Sequence, residues 1–225
     1  MTRRTNYFSV NTLWVLLVAI VTFWVIADAN DWVPQALTQK AKNDYNHRAA
    51  ERIDRWREAM ADAQFLSESE KLVAINSFFN ENVRYISDQK HWDSIDYWAN
   101  PYESLVTNGG DCEDFVIAKY YSLIKLGINV EKLRITYVKA LRFNQAHMVL
   151  AYYPTADSIP LVLDNLIPLI RPANKRPDLE PVYSFNATGM WLDKMKGQGT
   201  LLGNPNKLDL WTNLRIGMAE LGMDL

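Results

Sequence analysis

The apolar residues of this chain change their spacing once, and the change falls at Gly127. Before it they recur every three or four residues; after it they alternate. Helices first and strands afterwards give an α+β architecture, with the helices gathered against one antiparallel sheet. Trp32, Leu37, Ile53, Trp56 and Met60 mark one or two amphipathic helices over residues 31–63. Ser67 with Glu70 forms a capping box that opens a helix over 67–84, whose inner face is Leu72, Ile75, Phe78, Phe79 and Val83. Residues 85–97 read as a polar loop carrying His91. Asn100-Pro101-Tyr102-Glu103 then places an N-cap, a first-turn proline and an N3 acid in order, and Asn108-Gly109-Gly110 ends that short helix. The central helix, 111–126, stops at Gly127. Residues 133–138, 145–153 and 161–166 read as three strands of an antiparallel meander. Prolines at 160, 168, 172, 177 and 181 make 168–181 an extended surface loop, and the last 40 or so residues, with Trp191 and Trp211, show no firm pattern.

The N-terminus belongs to a different class of segment. Arg3 and Arg4 precede an apolar run from Leu13 to Ala27 broken only by Thr22, and Ala27-Asp28-Ala29 supplies small residues for cleavage after Ala29. The run is shorter than the ~20 residues of a spanning helix, so residues 1–29 are expected to be an export signal, with an uncleaved anchor as the alternative. Residues 30–225 then form a single domain outside the cytoplasm. The formal net charge of −2 argues against nucleic acid as a partner. The chain has one cysteine, Cys112, so no intrachain disulfide can form. A lone thiol in an oxidising compartment is a liability unless it is sequestered or used.

Cys112 follows a glycine pair and lies in the first turn of the central helix. The unsatisfied amides and positive partial charge there favour a thiolate, and Gly109 and Gly110 would let a substrate backbone come close. Its neighbours Asp111, Glu113 and Asp114 act the other way, raising the thiol pKa by like charge. Either they cap the helix, or several of them bind a hard cation such as calcium. The spacing fits no EF-hand loop, so the residues alone favour the cap. A cysteine nucleophile needs a base and a group that orients the base. His147 lies on the second strand, and Asp164 closes the third, where an apolar strand ends in an acid that is costly to bury unpaired. Antiparallel pairing could set Asp164 on the far nitrogen of His147. The plain readings are a packed core histidine and a turn acid.

The segments Trp98-Ala99-Asn100-Pro101-Tyr102-Glu103, Gly109-Gly110-Asp111-Cys112-Glu113-Asp114, Ala146-His147-Met148-Val149-Leu150 and Leu163-Asp164-Asn165 resemble those of the bacterial transglutaminase-like cysteine proteinases, the LapG-type periplasmic proteases. The resemblance covers residues 98–164 and implies a papain/transglutaminase-like α+β fold: an N-terminal helical lobe with the nucleophile helix packed on an antiparallel sheet. It implies Cys112 as nucleophile, His147 as base and Asp164 as its orienting acid. It also implies a calcium requirement, carried onto Asp111, Glu113 and Asp114. The substrate it implies is a large surface adhesin, cut at a di-alanine site near its N-terminus so that it leaves the cell, which ties the enzyme to biofilm attachment. The inhibitor it implies is the periplasmic domain of an inner-membrane cyclic-di-GMP receptor. An acyl-enzyme would need two oxyanion donors, and the Cys112 amide and the Trp98 indole are the candidates; a cleft-wall role for Trp98 is the alternative. A transglutaminase or amidase with the same triad, or a noncatalytic binding module on the same fold, would share these residues.

Overall fold

Polar residues at the helix starts decide where the helical lobe begins and ends. The computed structural model describes residues 32–194, 197–203 and 208–225; the expected export segment, residues 1–29, lies outside them. Helix α1 spans Ala36–Asp44, and α2 spans His47–Ala63 from an Asn46 cap that accepts the Ala49 amide. Helix α3, Glu68–Asn82, opens on the Ser67–Glu70 capping box. A one-turn helix α4, Asp88–His91, interrupts the segment expected to be a loop. Helix α5, Pro101–Thr107, carries the Asn100–Glu103 capping box and ends at Asn108 in the left-handed region (φ 58°). Its last carbonyls do not go unpaired: Arg52 of α2 donates to those of Leu105 and Val106. The central helix α6 is Cys112–Lys125, closed by Gly127 at φ 87°.

The sheet follows as expected for its first three strands. β1 (Leu133–Ala140), β2 (Gln145–Tyr152) and β3 (Leu161–Leu163) form an antiparallel meander. The structure departs from expectation over residues 168–181. They supply an edge strand β4 (Arg171–Pro172), a 3₁₀ turn (Ala173–Lys175), the buried Arg176 and the start of β5 (Leu179–Phe185), rather than a surface loop. Pro172 is tolerated because β4 is an edge, and Pro181 because the β1–β5 register shifts where it pairs with Val138. β6 (Met190–Lys194) and β7 (Gly197–Gly203) complete a seven-stranded sheet in the order β4-β3-β2-β1-β5-β6-β7. Helix α7 (Asp209–Glu220) then returns to the core.

The sheet and α3 enclose α6 from two sides, so α6 is buried from Glu113 through Leu123 with almost no polar face. Trp56 of α2 is fully buried and donates its indole N–H to Ser122 of α6 at 3.0 Å. From the other end of the chain, Trp211 of α7 is fully buried edge-on to Tyr120 of α6 (6.0 Å) and Phe185 of β5 (5.3 Å). The core therefore includes residues that show no sequence periodicity. Among the described residues no helix is long and apolar enough to cross a membrane.

Candidate active site

Two chain segments meet at the N-terminus of α6. A parallel bridge joins Tyr85 to Gly110: the Ile86 amide donates to the Gly110 carbonyl at 2.9 Å, and the Gly110 amide to the Arg84 carbonyl at 3.1 Å. This stitch brings Asp88 beside Asp111, whose Oδ2 accepts the Asp88 amide at 3.3 Å. The glycine pair serves this packing. A Cβ on Gly109 would stand 2.7 Å from Ile86 and 2.8 Å from His91, and one on Gly110 would stand 2.6 Å from the Asp114 carboxylate. Asp114 itself is fully buried. Its two oxygens accept the Ala99 amide (2.7 Å) and the Asp111 amide (3.0 Å), which locks the helix start to the preceding segment.

Cys112 is the first residue of α6. Its Sγ donates to Glu113 Oε2 at 3.0 Å, and the residue lines one cleft with His147 and Met148 of β2. Burial pushes the thiol pKa well up; the charges of Glu113 and Asp111 and the Glu113 hydrogen bond add to the rise, against the Met148 amide. The like-charge objection visible in the sequence is therefore real in the fold. Next to Met148 stands His147, 3% exposed, paired across β1 with Val138. Leu150 pairs with Leu163, so extending that register sets Asp164 diagonal to His147, within reach of a long side chain. His147 Nε2 and Asp164 Oδ1 are 2.8 Å apart. The same oxygen accepts the Leu166 amide (2.9 Å), and Oδ2 accepts Arg176 Nη2 (2.7 Å). Burial alone would raise the Asp164 carboxyl, but the His147 hydrogen bond and charge, with the Leu166 and Arg176 donors, hold it below its ordinary range.

A cleft of about 580 Å³ gathers most of these groups. Cys112 and His147 line it together with Asp111, Glu113, Trp98, Asp88 and Asp96, while Asp164 stands behind His147. Trp98 stacks on Phe185 (5.8 Å, 13°), and its indole N–H donates to Asp96 at 3.1 Å. The sequence reading missed Asp88, Asp96 and Arg176.

The acids fit a hard cation. Ligand oxygens of Asp88, Asp111 and Asp114 lie within 4.8 Å of one another, as do those of Asp88, Asp96 and Glu113. Asp88 Oδ1 and Asp111 Oδ1 are buried with no hydrogen-bond partner, and such orphan carboxylate oxygens are the donors calcium takes. Burial, reinforced by Asp111 and Asp96, pushes Asp88 up to about 6 against the pull of the Tyr97 amide. Burial and Asp111 also raise Glu113, and burial with Glu113 and Asp111 raises Asp114.

Known proteins share this fold. The model of the family described as bacterial transglutaminase-like cysteine proteinase matches residues 35–185. Legionella pneumophila LapG in its EGTA-treated form superposes with a TM-score of 0.72 at 40% identity, over 83% of this chain and 96% of that one. The calcium-bound form of the same Legionella protein gives a TM-score of 0.68 at 42% identity, over 79% of this chain and 97% of that one. No curated protein matches the sequence.

Proposed function

The chain belongs to the bacterial transglutaminase-like cysteine proteinases, and from that premise we propose that it is a calcium-dependent periplasmic endopeptidase. Its proposed substrate is the N-terminal region of a large surface adhesin, cut between two alanines. What supports the triad most is the buried His147–Asp164 pair, with His147 and Cys112 lining one cleft.

His147 Nε2 is held by Asp164, which leaves Nδ1 for the thiol proton. Sγ attacks the scissile carbonyl carbon and a C–S bond forms. The proton passes through His147 to the leaving amine as the C–N bond breaks, and water then releases the acyl group with His147 again as base. The oxyanion would lie against the Cys112 amide, with the Trp98 indole, now shared with Asp96, as second donor. Asp88, Asp111 and Glu113, with Asp96 and Asp114 beside them, would hold calcium. When bound, the ion supplies positive charge that offsets the like-charge burden on the thiol.

The test is incubation of purified protein with the adhesin N-terminal region in calcium buffer and sequencing of new termini. A cut between alanines is expected, none with Cys112→Ala, and suppression by the periplasmic domain of the cyclic-di-GMP receptor. Incorporation of a labelled amine without cleavage would make the chain a transferase. No cleavage, with Cys112 alkylated no faster than a free thiol, would make it a binding module.

A further inference from the structure

Helix α6 carries a second ionisable group that the proposed reaction does not use. Lys119 is fully buried, about two turns beyond Cys112 on the same helix face. Its Nζ donates to Asn80 Oδ1 of α3 at 2.7 Å and lies 5.7 Å from the centre of the Phe115 ring. Asn80 passes the link on: its Nδ2 donates to the main-chain carbonyl of Asp164 at 2.9 Å. Burying an ammonium with so few partners is costly, and an apolar side chain of similar volume would fill the space more cheaply. Packing alone therefore does not account for a lysine here. Of the charged groups brought by the elements around α6, Asp164 is the one whose charge acts on Lys119, pulling its pKa up while burial pushes it down to about 7. His147 and Arg176 engage Asp164 instead, and Asn80 of α3 is uncharged.

We propose that Lys119 is a positioning residue: through Asn80 it ties the Asp164 main chain, and so the carboxylate that orients His147, to the helix that carries Cys112. Nucleophile and base stand on separate elements, α6 and β2, and Lys119–Asn80–Asp164 is a polar path between them that avoids the cleft. The inference rests on the triad proposed above.

Because Cys112 is the single cysteine, iodoacetamide alkylation read by intact mass reports on it alone. Rates are measured in calcium buffer across the pH range in which thiols titrate, for the native sequence, Lys119→Met, Asn80→Ala, the double variant and Asp164→Asn. Lys119→Met and Asn80→Ala should each slow alkylation about tenfold and move its acid limb to higher pH. The double variant should be no slower than the slower single one. The melting temperature of Lys119→Met should hold or rise, since a buried charge gives way to an apolar chain of like size. If that variant fails to fold, Asn80→Ala at its half-buried position still reads the same limb. Native rates in both single variants, beside a slowed Asp164→Asn, would overturn the tie and leave the triad standing. A native rate in Asp164→Asn would overturn both.

Discussion

Two acidic environments flank the one thiol, and the fold treats them in opposite ways. Asp164 is 1% exposed, yet every donor around it comes from the chain: His147, the Leu166 amide and Arg176. It stays ionised below its ordinary range despite burial. Asp88, Asp111, Glu113 and Asp114 on the cleft side receive main-chain amides and a thiol, and among the described residues no lysine or arginine pairs with them. The pKa values of Asp88, Glu113 and Asp114 are pushed up, and two oxygens lack any partner. The chain completes the first environment itself, and under the proposed calcium requirement an ion would complete the second.

The contrast can be broken by experiment. Asp164→Asn should lower kcat by ~10³–10⁴-fold with little change in KM, because His147 loses the acceptor that sets its tautomer; a loss of tenfold or less would mean that Asp164 is not its orienting acid. Removing calcium should act on the other side. EGTA should slow cleavage and Cys112 alkylation, and calcium at about 100 times its Kd should restore both while adding ~2.7 kcal/mol of stability. Asp88→Asn should weaken that response, and an unchanged melting temperature with and without calcium would reduce the acids to a helix cap. The smallest effect on turnover is expected for Arg176→Met, which strips one donor from Asp164 Oδ2 and leaves the His147 contact. Asp164 has a depressed folded pKa, so its contribution to stability is present above the unfolded value of about 3.9 and is lost as pH falls through the folded one. Arg176→Met should move that loss to higher pH, and melting curves taken down the acid range will read it.

The helical lobe was legible because its signals are local. The capping boxes at Ser67 and Asn100, the glycine at 127 and the shift to alternation need only a few neighbouring residues to be recognised. Cys112, His147 and Asp164 were legible as candidates for the same reason, each at an element's end or on a strand. Asp88 and Arg176 were not. Asp88 is buried because a backbone bridge at Gly110 folds its segment under Asp111. Arg176 is buried because Asp164, on a separate turn, needs a cation. Neither pairing leaves a periodic trace, and the prolines around Arg176 point to an exposed loop. The glycine pair has a second role that only the fold reveals: its missing Cβ atoms make room inward, for His91 and Asp114.

The burial of Trp211 has a consequence for biosynthesis. Its ring is packed against Tyr120 of the nucleophile helix and Phe185 of the sheet. During synthesis Trp211 leaves the ribosome ~2–10 s after Asp164, at about 5–20 residues per second. For that interval all three proposed triad residues have been made while the wall behind them lacks its largest plug. Trp211→Ala would make the gap permanent, at ~3–5 kcal/mol of stability. The helix that carries Cys112 thus gains its full packing only once residues 209–220 have been made and have folded back onto it.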